Sequence, residues 1–282
     1  MLIFSIDSTV LNNKGEWLPE LKEYLNELNE KGCFIAFNTS RYPLEAKLIT
    51  DQLDFKPWLC TNTGGLIVSP EGKVISKVPI SEEYFKEYLD SIFDTGYNFA
   101  ISVYDYLNDE SFACTENLTD ISRIGRTYKE IISESTGLSE AVSKEDLYKI
   151  LLDENRCILS ASLIGDEDSI ENLKEMRNVI ENATSYHIGF DILYTTTSAE
   201  VVSKNHSKGS AVKRLREKIN PNTIVSIGAD NLDISAFSES DISIAVRSND
   251  SRNNAWKNAT YVVDQGDLIH RIKVLEKKGL IM

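Results

Sequence analysis

The chain has 282 residues, 41% of them hydrophobic and 26% charged, and its 30 basic and 44 acidic side chains leave a formal charge of −14. That length predicts a core plus one inserted or appended domain, the composition excludes a disordered chain, and the charge disfavours nucleic acid and anionic membrane surfaces as partners. Cys33, Cys60, Cys114 and Cys157 form no C-x-x-C pair and only three histidines accompany them. Met1 leads directly into a strand without a basic leader or long apolar run, so reduced thiols in a cytoplasmic protein are expected.

Residues 2–4 are apolar and run through Ser5-Ile6-Asp7-Ser8-Thr9 into a polar turn. This predicts a buried strand whose side chains project at its carboxyl edge. Pro19 is placed to open a helix at N1, with Leu21, Tyr24, Leu25 and Leu28 at i, i+3, i+4 and i+7 and Gly32 as its stop. The run 33–37 reads as a second, fully buried strand, and a strand–helix–strand opening predicts a parallel sheet with right-handed crossovers. Asn38-Thr39-Ser40-Arg41 then falls at a strand's carboxyl end, where open α/β sheets place their sites. A further strand is expected over 58–68, with a turn at Gly64-Gly65.

Between 81 and 197 the texture changes. Helices at 82–93 and 168–182, an alternating strand at 99–104, a long polar stretch, and strands at 157–162 and 186–194 predict an α+β module. It would be inserted into an α/β core made of 1–80 and 198–282. After residue 200 the α/β rhythm returns, with strands at 223–227, 241–246 and 261–263 and helices near 208–218, 232–237, 251–256 and 267–277.

Four segments carry a pattern in order: Ser5-Ile6-Asp7-Ser8-Thr9, Thr39-Ser40-Arg41, Lys208-Gly209 at a helix start, and Gly228-Ala229-Asp230-Asn231-Leu232-Asp233 after a strand. They resemble the four motifs of the haloacid dehalogenase (HAD) superfamily. Within it, the chain is similar to the Cof-type phosphatases, which carry an α+β cap between the second and third motifs. Asn62-Thr63-Gly64-Gly65 looks like the turn that precedes that cap. The resemblance implies a doubly wound parallel-sheet core with an inserted α+β cap. It also implies that Asp7 holds the general acid/base position, and that Thr39, Arg41 and Lys208 bind a phosphoryl group. Lys204 competes for the lysine position but lacks the following glycine.

The pattern is broken where the chemistry sits. Ser5 stands in place of the nucleophilic aspartate, Ala229 in place of a metal-binding carboxylate, Leu232 in place of an asparagine and Ser40 in place of a glycine. Mg²⁺ wants near-octahedral oxygen ligands with one or two carboxylates. Asp233 is the first remaining candidate ligand and Asp230 the second, so weak Mg²⁺ binding is expected. A serine hydroxyl is a poor nucleophile without a base, and a Ser5–Asp7 pair is the least favoured way to supply one.

Three functions follow as alternatives. The first is a HAD-fold protein with impaired phosphatase chemistry and at most a phosphate- or anion-binding cleft between core and cap. The second is an active Mg²⁺-dependent phosphomonoesterase acting on a sugar phosphate or similar small phosphorylated metabolite. The third is a protein-interaction module with a protein partner. Tyr104, Tyr186 and His187 could line a pocket, but packing is the expected role of each.

Overall fold

The computed structural model describes the chain except residues 13, 83–84, 87–97, 116–137, 141–143, 165–177, 179–189, 195–197, 205, 248–253 and 282. The chain forms two compact units: Met1–Arg41, Ala46–Ser76 and His206–Met282 make the first, and Tyr42–Glu45 with Lys77–Asn205 the second.

Strand β1 (Leu2–Phe4) is fully buried. Helix α1 (Leu21–Glu30) follows, burying Leu21, Tyr24, Leu25 and Leu28 as their spacing requires. The residue before its first turn is Glu20, in the left-handed region at φ 62°, so Pro19 lies outside the helix and not at N1. Strand β2 (Ile35–Asn38) pairs parallel with β1, Leu2 opposite Ile35 and Phe4 opposite Phe37. It starts two residues later than expected, because Phe34 precedes the ladder and is 53% exposed. Helix α2 (Pro43–Thr50) leads to β3 (Trp58–Thr61), parallel to β2.

The stretch 58–68, expected as a strand with a turn at Gly64-Gly65, divides into two strands about a turn at 62–65. Asn62, Thr63 and Gly64 all take positive φ, and β4 (Leu66–Val68) returns antiparallel to β3. A side chain at Gly64 would put its Cβ 2.6 Å from the Ser207 carbonyl oxygen, so this turn admits only glycine there. Strand β5 (Val74–Lys77) closes this edge of the sheet.

The second unit contains β6 (Asn98–Asp105), β7 (Glu110–Thr115), β8 (Leu138–Glu140), α3 (Lys144–Leu151), β9 (Arg156–Ile164), β10 (Phe190–Tyr194) and β11 (Ser198–Ser203). They form a six-stranded sheet in the order β10-β11-β9-β6-β7-β8, an α+β arrangement. The sequence predicts a return to the core at residue 198, where strand β11 begins. Its antiparallel ladders, Phe190 opposite Ser203 and Ser198 opposite Ile164, tie it to this sheet instead, and the division falls after 205. Tyr104 is buried and hydrogen-bonds Asp109 through its hydroxyl, with the Lys77 ammonium 4.3 Å from its ring centroid. Tyr186, His187 and most of the two helices expected at 82–93 and 168–182 lie outside the described residues.

The first unit resumes with α4 (Lys208–Ile219), β12 (Val225–Gly228), α5 (Asp233–Ser238), β13 (Ile242–Val246), β14 (Tyr261–Val263) and α6 (Leu268–Lys277). Of the helix expected at 251–256, the described part is a single 3-10 turn, Ala255–Asn258. The sheet order β14-β13-β12-β1-β2-β3-β4-β5 is parallel from β14 to β3. Alternation along β1 splits the core into two layers. Leu2 and Phe4 pack with α1 and α6, while Ile3 packs with Ala211, Val212 and Leu215 of α4. Parallel strands covered on both faces explain why β1, β2 and β12 are buried at every position.

Glu276 ties α6 to α1, accepting from the Tyr24 hydroxyl at 2.9 Å and from the Lys31 ammonium at 2.7 Å. These two donors hold its carboxyl below the ordinary value of 4.5. A depressed carboxylate contributes stability that is present above the unfolded value and lost as pH falls through the folded one. The gap in denaturant midpoint between the parent and Glu276→Gln should therefore shrink as pH falls from about 5 to about 3. A gap that widens over that range would contradict the assignment.

Candidate active site

The segments after β1, β2 and β12 converge with the start of α4 at the carboxyl edge of the parallel sheet. Ser5 continues the β1–β12 ladder by donating its N–H to the Ile227 carbonyl at 2.8 Å. Its hydroxyl accepts from the Lys208 ammonium at 2.9 Å, and the same ammonium donates to Asp233 Oδ1 at 2.7 Å. Both side chains of this ion pair are 4% exposed. Asp233 Oδ2 accepts the N–H groups of Ala229 and Asp230 at 2.8 and 3.0 Å. The carboxylate folds so closely over Gly228 that a Cβ there would lie 2.3 Å from Asp233 Cγ.

Local sequence explains how Lys208 is aimed. Ser207 and Ser210 exchange side-chain and backbone bonds in a capping box that starts α4. Gly209 lets α4 approach α5, since a Cβ would sit 2.4 Å from the Ser235 carbonyl oxygen. The buried Asn38 donates from Nδ2 to the Lys208 carbonyl at 2.8 Å, fixing the lysine backbone from the end of β2. Nothing singled out Asn38 in the sequence beyond an amide at the end of an apolar strand, where a polar side chain needs a partner. Lys204, the competing lysine, is exposed on the turn after β11 in the second unit.

Arg41 and Asp7 form a second ion pair. Arg41 Nε donates to Asp7 Oδ2 at 3.0 Å and Nη2 donates to Oδ1 at 2.7 Å, a forked contact. Thr39 is buried, and its Oγ1 accepts the Arg41 N–H at 3.1 Å. Ser5 and Asp7 thus have different partners, and no Ser5–Asp7 hydrogen bond is present. Asp230 accepts the Leu232 N–H at 2.5 Å, which folds its carboxylate into its own turn.

Burial alone would lower the Lys208 ammonium, but the carboxylates of Asp233 and Asp230 outweigh it and hold the group above its ordinary value. Burial pushes the Asp230 carboxyl up against the pull of Lys208. A lysine that activates a serine must first be neutral. Lys208 therefore serves Ser5 as a hydrogen-bond donor, not as a base.

The family model of haloacid dehalogenase-like hydrolases matches residues 2–267. The chain belongs to this family. A haloacid dehalogenase-like hydrolase from B. subtilis superposes with a TM-score of 0.77 at 19% identity, covering 96% of this chain and 98% of that one. A HAD-like hydrolase from Bacteroides thetaiotaomicron gives 0.74 at 18%, covering 98% of each. A sugar phosphatase of HAD subclass IIB gives 0.72 at 18%, covering 99% of each. These likenesses show the fold. No curated protein sequence matches the chain at a significant level.

HAD phosphatases generally use Mg²⁺, and the donors of this chain fit that ion poorly. The Ser5 hydroxyl faces an ammonium, Ala229 offers no donor, Asp233 has one oxygen on Lys208 and the other on two N–H groups, and Asp7 lies in the Arg41 fork. Among the described residues no group of three or more His, Cys, Asp or Glu side chains is arranged to hold a metal. A buried lysine–aspartate pair stands at this edge of the sheet.

Proposed function

We propose that this HAD-family hydrolase-like protein has lost efficient phosphoryl transfer and retains an oxyanion-binding site built from Thr39, Arg41 and Lys208. In this reading Ser5 and Ala229 are the lost nucleophile and metal ligand, Mg²⁺ is held weakly through Asp233 and Asp230, and the inserted α+β unit acts as the cap. The observation that carries it is the Lys208 ammonium, bonded at once to the Ser5 hydroxyl and to Asp233. Losing a nucleophile costs on the order of 10⁶-fold in turnover in the subtilisin case, and a serine beside a charged lysine has no base to replace it. Free Cys33, Cys60 and Cys157 favour a reducing, cytoplasmic location.

A second reading is supported by the likeness to the subclass IIB sugar phosphatase over 99% of both chains. It is an active phosphomonoesterase on a sugar phosphate or similar small phosphorylated metabolite. Phosphate release from a panel of phosphomonoesters, with and without Mg²⁺, separates the two. The first reading expects release at background level throughout, whereas turnover above roughly 1 per second with any member would establish the second.

A further inference from the structure

Two cations occupy the proposed site and each already has a carboxylate partner, but the two pairs are built differently. Lys208 and Asp233 are both 4% exposed at their side chains, and Asp233 is held by two further N–H groups. Two of the three ammonium protons are committed, to Ser5 and Asp233. Withdrawing Lys208 would leave a buried carboxylate without its counter-charge, which is strongly unfavourable. That lysine is a fixture.

The Arg41–Asp7 pair is exchangeable by contrast. Asp7 is 55% exposed at its side chain and Arg41 20%, so a released Asp7 carboxylate enters water at little cost. The guanidinium springs from a fixed backbone. Arg41 donates its N–H to Thr39 Oγ1 at 3.1 Å, and its carbonyl accepts from the Asn62 N–H at 3.0 Å. The Asp7 carboxylate already shows which chemistry fits the fork: two adjacent oxygens taken by Nε and Nη2.

We infer that Asp7 is a built-in competitor for Arg41, a latch that an oxyanion with two adjacent oxygens must displace to enter the site. This deepens the oxyanion-binding reading and rests on it. The ligand class is a phosphoryl, sulfate or carboxylate group, and Arg41 is the side chain that exchanges partners while Lys208 stays in place. An exposed ion pair is worth little, so the latch is weak. Releasing it should tighten ligand binding by about two- to fivefold.

The test is titration calorimetry at fixed ionic strength with inorganic phosphate, repeated with sulfate and with acetate to separate phosphoryl-like from carboxylate ligands. The parent, Asp7→Asn, Arg41→Ala and the double variant are compared. Asp7 is exposed, so Asp7→Asn should fold, and a thermal melt checks it. The latch predicts that Asp7→Asn binds phosphate about two- to fivefold more tightly, and that this gain disappears in the Arg41→Ala background. The gain then depends on the guanidinium, a non-additivity that a double-mutant cycle reads directly. An equal gain in both backgrounds would mean that Asp7 acts only by like-charge repulsion, and the latch would be wrong. If the parent binds phosphate and Arg41→Ala binds it equally well, the latch falls while oxyanion binding stands. Absence of binding in both the parent and Asp7→Asn removes the two together.

Discussion

Replacing Ser5 and Ala229 together by aspartate is expected to give Mg²⁺-dependent hydrolysis of a generic phosphomonoester, while the parent and each single variant stay silent. The two positions follow neighbouring parallel strands, with Phe4 opposite Ile227 in the ladder. Both touch the same ion pair: Lys208 reaches the Ser5 hydroxyl, and Asp233 accepts the Ala229 N–H. An aspartate at 5 would face the Lys208 ammonium as a carboxylate nucleophile, and one at 229 would add a second carboxylate for Mg²⁺. Ala229 is 1% exposed, so a lone aspartate there is a buried charge without a cation, and a lone aspartate at 5 has no metal to draw the phosphoryl group. Nucleophile and metal act as a unit, so their effects are non-additive. The gain in the double variant should reach at least about 10³-fold over the parent. A folded double variant without activity would show that Leu232, Ser40 or the Lys208–Asp233 pair itself also blocks the chemistry.

Lys208→Met should be the most destabilising single change in the first unit's polar frame. The methionine keeps much of the side-chain volume but leaves Asp233 buried with its charge uncompensated. Breaking a buried pair in this way costs about 3–5 kcal/mol, read as a lower urea midpoint at unchanged slope. The two N–H groups that Asp233 keeps place the expected loss near the lower end of that range. Arginine at 208 should rescue little, because a planar fork cannot occupy the position of a compact ammonium between Ser5 and Asp233. A loss below about 1 kcal/mol would mean that the pair is not the structural centre described above.

Much of this site was legible in the chain. A buried strand running into Ser5 and Asp7, a second ending at Thr39 and Arg41, and a Lys-Gly helix start are local patterns, and the parallel sheet gathers their ends at one edge. What the sequence could not show is partner choice. Asp233 seemed available as a metal ligand, yet its two oxygens are taken by Lys208 and by N–H groups of its own turn. Asp7 and Ser5, two residues apart, meet different cations: the buried Ser5 faces Lys208 and the exposed Asp7 faces Arg41. Asn38 gave no signal because its role depends on a helix 170 positions away along the chain. The turn expected at Gly64-Gly65 within 58–68 is present but begins earlier, because Asn62 and Thr63 are left-handed as well as Gly64, which a hydrophobic pattern does not register. The core boundary expected at 198 falls after 205 because Ser198–Ser203 pairs antiparallel with β9 and β10, a pairing that no local pattern in the chain announces.

Titration of the parent protein with Mg²⁺ by calorimetry tests most directly whether a lysine–aspartate pair has taken over the centre of this HAD site. Of the side chains at this site, Ser5 faces an ammonium, Ala229 offers no oxygen, and Asp7, Asp230 and Asp233 are tied to Arg41, to the Asp230 turn and to Lys208 respectively. No saturable heat is expected below about 1 mM Mg²⁺. Binding at about micromolar affinity, abolished by Asp233→Asn, would contradict the account.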